Sequence, residues 1–169
     1  YEIVKDKEDL VRTIVMMELE RIEEEVGLII NQDKNAIDIS IEVNKYLHQV
    51  YTNYPTTVEY DLKKYYPSVH NALNSRQKEK MYELIVTNLK RGIRQGMFRE
   101  DLNPEIIANI QILRVEAKID ESFRLCDKKY TMDEIIGEIY KYHMHGICTK
   151  EGLEYLENVY LKNNNKNET

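Results

Sequence analysis

"RQGMFREDLNPEIIANI", residues Arg94 to Ile110, interrupts a chain that otherwise reads as one helix after another. Gly96 is suited to close the helix before it with a left-handed residue, and Arg91 and Arg94 match the negative end of that helix's dipole. A short acidic loop follows. Pro104 then opens the next helix, a position where its fixed φ and missing N–H are tolerated. The interruption is set by local chemistry, and the helix it releases decides the fold.

On a helical wheel Ile106, Ile110, Leu113 and Ala117 share one face of that helix, and Ala108, Ile112, Val115, Ile119 and Cys126 share the opposite one. Gln111, Arg114, Lys118 and Glu121 occupy one flank, and Glu105, Asn109 and Glu116 the other. A helix on the surface of a globular domain needs a single apolar stripe. Two stripes half a turn apart require burial on both sides, either within one core or against a second copy of the chain.

Upstream, "KDKEDLVRTIVMMELERIEEEVGLIINQ" predicts a long helix capped by Asp6, with Glu8 and Asp9 in its first turn. Val11, Ile14, Val15, Ile22, Val26 and Ile29 keep helical spacing, and Glu18 falls on the same apolar side. In "NAIDISIEVNKYLHQVYTNY", Ile37, Ile39, Ile41 and Val43 alternate as in a strand. Ile39, Val43, Tyr46, Leu47 and Val50 also fit a helix, and with no partner strand nearby helix is the expected state. Pro55 opens a short helix that Pro67 ends. Six tyrosines fall between Tyr46 and Tyr66, and their phenols suit either helix seams or the wall of a ligand pocket. A long helix is expected from Ser68 to Gly96, with Met81, Ile85, Leu89 and Gly92 on one side.

Downstream of the Pro104 helix, Thr131 or Asp133 caps a further helix. Met132, Ile135, Ile136, Ile139, Tyr142, His143 and Ile147 form its broad apolar face, opposite Glu134, Glu138, Lys141 and His145. A last short helix, "KEGLEYLENVYLK", runs into "NNNKNET", which has the composition of a disordered tail.

The chain has 169 residues, 32% charged and 42% hydrophobic, which suits one soluble domain with its own core. Three prolines and six glycines favour long helices over a turn-rich β architecture. A net charge of -6 argues against a direct phosphate-binding surface. Cys126 and Cys148 lack CxxC spacing and read as free thiols in a reducing compartment. No apolar run approaches the roughly 18 residues that span a bilayer, and no signal peptide opens the chain, so a cytoplasmic location and no membrane partner are expected. Because Tyr1 is not Met, the segment is expected to belong to a longer protein.

Catalytic and metal-binding signatures are missing. None of His48, His70, His143 and His145 follows a glutamate by three residues, as carboxylate di-metal bundles require. His143 and His145 point about 200° apart on a helix, and His143 reads as a hydrogen-bonded core histidine. There is no GxSxG, P-loop, dinucleotide-binding glycine pattern or HExxH. No enzyme, cofactor or metal is expected.

Three stretches taken together resemble the TetR family of bacterial transcriptional regulators. "YEIVKDKEDL" is similar to the end of that family's helix-turn-helix region, with Tyr1 closing the recognition helix and Lys7 and Leu10 beginning the next; Val4 stands where an aromatic is usual. "GIRQGMFREDLNPEIIA" is similar to the junction between the family's seventh and eighth helices. "GICTKEGLEYLENVY" resembles the C-terminal end of a subset of these proteins.

The resemblance implies an all-α bundle like the TetR regulatory domain, dimerising through a four-helix bundle. Residues 1–10 would be the end of the helix-turn-helix region and the start of the connecting helix. Residues 7–162 would be the regulatory and dimerisation domain, and 163–169 the disordered tail. It implies a ligand-responsive repressor, a homodimer that reaches DNA through an N-terminal headpiece largely absent from this sequence. Tyr1 and Lys7 would touch DNA phosphates only when that headpiece is present. A small, mostly apolar effector would bind among Met17, Glu18, Tyr46, Tyr60, Met81, Tyr82 and Asn88, with Arg114 facing any anionic group. The dimer face would include Ala108, Ile112, Val115, Ile119, Ile135, Ile139 and Tyr142. The same residues also fit a helical dimerisation or protein-interaction module with no small-molecule ligand, because a filled core and a cavity look alike in sequence. A helical enzyme is a third reading, opposed by the missing motifs.

Overall fold

The structure is a computed structural model that describes residues 4–53, 56–116 and 130–164. Every regular element among them is a helix: α1 (Lys7–Ile30), α2 (Ala36–Asn53), α3 (Thr56–Tyr65), α4 (Pro67–Arg94), α5 (Pro104–Glu116), α6 (Met132–Ile147) and α7 (Lys150–Asn164). The all-α expectation holds, and the alternating isoleucines after Asn35 are helical. Pro67 both ends the preceding segment and stands first in α4. Asn163 and Asn164 are the last residues of α7 rather than part of a tail. Tyr1, Pro55, Ala117, Ile119, Cys126 and residues 165–169 lie outside the described residues.

The chain divides into two compact units, the first comprising Tyr1–Lys34 and Asp38–Leu84 and the second Asn35–Ile37 and Ile85–Thr169. In the first, the Asp6 carboxylate caps α1 by accepting from the Asp9 N–H at 2.9 Å. Val26, Ile30 and Ile39 are its buried centre, with Ile22, Ile29, Val43, Tyr46, Leu47 and Leu84 packed around them. Thus only the C-terminal half of the α1 stripe enters this cluster. Leu10, Ile14 and Met17, on one side of its N-terminal half, are exposed. Arg76 on α4 holds Glu23 on α1 with two nitrogens, at 3.0 and 2.7 Å, and reaches Glu20 at 3.2 Å.

In the second unit, Gly96 takes φ +70°, the left-handed conformation expected of it. The N–H groups of Met97 and Phe98 then return to the Gly92 carbonyl at 2.9 and 3.1 Å. Phe98 is buried directly over Gly92, where a Cβ would lie 2.1 Å from the ring. Phe98 also forms an isolated antiparallel bridge with Cys148. On either side of that bridge the Arg99 N–H donates to Ile147 O at 2.9 Å and the Thr149 N–H to Met97 O at 3.0 Å. The Thr149 hydroxyl donates to Gly96 O at 2.7 Å and accepts from the Gly152 N–H at 3.0 Å, starting α7. Gly152 has no room for a side chain, since a Cβ there would meet Met97 O at 2.1 Å. The loop after α4 and the loop before α7 are therefore laced into one joint.

From that joint Asn103 launches α5, its side-chain oxygen accepting from the N–H groups of Glu105 and Ile106 at 3.0 and 3.1 Å. Thr131 starts α6 with a full capping box, accepting from the Glu134 N–H while Glu134 accepts from the Thr131 N–H.

Candidate functional site

The two faces of α5 have different fates. Ala108 is fully buried inside the second unit, and Ile112 is half-buried. Within the single chain the Ala108 side chain is already enclosed, so it offers little surface of its own. The open face is the opposite one, where Ile106, Ile110 and Leu113 are 57%, 53% and 63% exposed. On α6, Ile135 and Ile139 are half-buried, while Ile136 is exposed and Tyr142 is 85% exposed. The side chain of Val115 lies outside the described residues.

Of the eight candidate ligand-binding residues, the structure brings two together. Glu18 and Tyr46 line an open groove of about 370 Å³ with Arg21, Gln49, Val50 and Asn53. The Arg21 guanidinium grips both Glu18 oxygens, at 3.0 and 2.6 Å. That hydrogen bonding holds the Glu18 carboxyl below the usual carboxylate range. The Tyr46 hydroxyl is buried and close enough to Arg21 to feel its charge, yet it makes no hydrogen bond of ordinary geometry among the described residues. A buried donor left open costs free energy unless a ligand or water meets it. The groove thus offers an ionic pair at one end and a phenol beside it.

The other candidates do not line this groove. Met17 is exposed on α1, and Tyr60 is exposed on α3, where the Lys64 ammonium lies 5.4 Å from its ring centre. Met81 and Tyr82 are half-buried on α4. Asn88, in the second unit, donates to Ala36 O at 2.9 Å, while its own carboxamide oxygen is buried with no hydrogen-bond partner among the described residues. Lys7 is exposed at the start of α1. The residues that sequence reasoning missed in the groove were signalled by helix spacing. Arg21 is three residues beyond Glu18, and Gln49, Val50 and Asn53 are three, four and seven beyond Tyr46.

Arg114 has a setting of its own. It is half-buried on α5 beside His143 of α6, whose Nε2 accepts from the Gln111 side-chain amide at 2.5 Å. Burial, with the Arg114 charge added, pushes the His143 pKa down to about 4. His143 is therefore neutral at pH 7, as a hydrogen-bonded interior histidine should be. Burial pushes the Cys148 thiol up to about 11, so it is an inert packing residue.

Among the described residues no group of three or more His, Cys, Asp or Glu could hold a metal ion. No described helix is long and apolar enough to cross a membrane. No known protein family, curated protein or solved structure matches the chain.

Proposed function

We propose that this chain is the regulatory and dimerisation part of a ligand-responsive bacterial transcriptional regulator of the TetR type, acting as a repressor. The observation that carries the reading is the open apolar face of α5, Ile106, Ile110 and Leu113, on a helix whose opposite face is already partly covered, with Ala108 buried and Ile112 half-buried. Covering an aliphatic side chain fully is worth about 1.5–3 kcal/mol, and a two-fold contact engages the same residues on both copies. The occupant that this reading assigns to the face is a second copy of the chain. The exposed Ile136 and Tyr142 on α6 add apolar surface of the same kind. The three motif resemblances supply the rest of the reading, and the exposed Leu10, Ile14 and Met17 on α1 give a headpiece something to rest on.

In this reading a small, mostly apolar effector binds beside Tyr46, between α1 and α2 of the first unit, and moves α1. A symmetric dimer reads half-sites roughly 34 Å apart, so a small movement of α1 spoils the spacing of the two headpieces. The effector acts only through its different affinity for the two conformations. Light scattering tests the pairing, and a thermal-shift screen tests the effector. Ligand at 100 times its dissociation constant should stabilise the protein by about 2.7 kcal/mol. A dimer that answers to no compound in its ligand-free form is instead a dimerisation or protein-interaction module.

A further inference from the structure

We propose that Arg114, Gln111 and His143 form, within the second unit, a binding site for the carboxylate of a small molecule. Arg114 and Gln111 are three residues apart on α5 and so share a side of the helix, and His143 meets that side from α6. Arg114 is partly withdrawn from water, and among the described residues nothing acidic pairs with it. In sequence, the positions three and four residues to either side are Ile110, Gln111, Ala117 and Lys118, none of them acidic. A guanidinium held half out of water without a counter-ion is costly, and an anion offsets that cost.

The neighbours decide which anion. Gln111 donates one amide hydrogen to His143 Nε2, which makes that nitrogen an acceptor and assigns the imidazole proton to Nδ1. His143 stays uncharged because of burial and the Arg114 field. The cluster therefore holds one positive charge, the planar guanidinium fork and a second amide hydrogen on Gln111. One negative charge spread over two coplanar oxygens fits this better than a phosphate dianion does. All three side chains are half-buried and so keep part of their surface open to solvent.

The inference does not depend on the regulator reading, and its failure would leave the dimer proposal standing. The test is a titration of the ¹⁵N-labelled full chain with sodium butyrate at pH 7, against sodium chloride at matched ionic strength. The expected result is a saturable shift of the Arg114 Nε–H and Gln111 side-chain amide signals with butyrate alone. Arg114→Gln should weaken butyrate binding roughly tenfold or more, the loss of a charge-assisted pair. Arg114→Lys should also bind more weakly than the parent, since it keeps the charge but loses the fork. Absence of saturable shifts in the unmodified protein, an equal response to chloride, or unchanged binding in Arg114→Gln would each overturn the proposal. The first two outcomes are read on the parent chain and need no variant to fold.

Discussion

An alanine Cβ at Gly92 would stand 2.1 Å from a carbon of the Phe98 ring, which is itself buried in the joint between the α4 and α7 loops. Gly92→Ala forces that ring aside and should cost about 1–3 kcal/mol, as overpacked cores do. Urea denaturation should show a lower midpoint with an unchanged slope. His143 governs a different response. Its pKa of about 4 in the folded protein lies below the ordinary 6.5, so the unfolded chain binds the proton more readily between those values. Stability should be full above pH 6.5 and fall by about 3 kcal/mol as the pH drops through that window to 4. His143→Gln, which keeps a polar side chain without a titrating ring, should flatten that part of the pH–stability curve. The sequence marks His143 as a core histidine through its place on the apolar face of α6. It gives no sign of the 2.5 Å partnership with Gln111, because that depends on how two helices distant in sequence meet.

At the scale of the element, ends were more legible than faces. Asp6, Gly96, Pro104 and Thr131 each have a short-range chemistry that acts within a few residues, and each stands at a helix boundary in the structure. Thr131→Ala removes one half of the α6 capping box and should lower stability by about 0.5–2 kcal/mol, measured by thermal unfolding followed by circular dichroism. Faces depend on neighbours. The two apolar stripes of α5 were plain on a wheel, but which one the chain covers is decided by tertiary packing, and it covers Ala108 rather than Ile110. The α1 stripe likewise read as one surface, whereas Ile14 is exposed and Val26 is buried. The Tyr46 groove was half legible. Glu18 was conspicuous as a carboxylate on an apolar stripe, and its Arg21 partner three residues on explains how it is tolerated there. The bridge between Phe98 and Cys148 had no local signature at all.

For the whole molecule, pairing depends on what covers Ile106, Ile110 and Leu113. Ile110→Asp puts a charge on the middle of that face, and in a two-fold pairing it would place the same charge on both sides of the contact. The side chain is exposed in the single chain, so the substitution should leave the helical content unchanged while separating the copies. The most direct measurement is the molar mass in solution by light scattering across a range of concentrations, for the parent chain and for Ile110→Asp. The parent is expected at twice the chain mass of 20.2 kDa, independent of concentration, and the variant at the single-chain mass. A parent protein that runs as a monomer at every concentration would contradict pairing through α5, and so would a dimer that Ile110→Asp leaves intact.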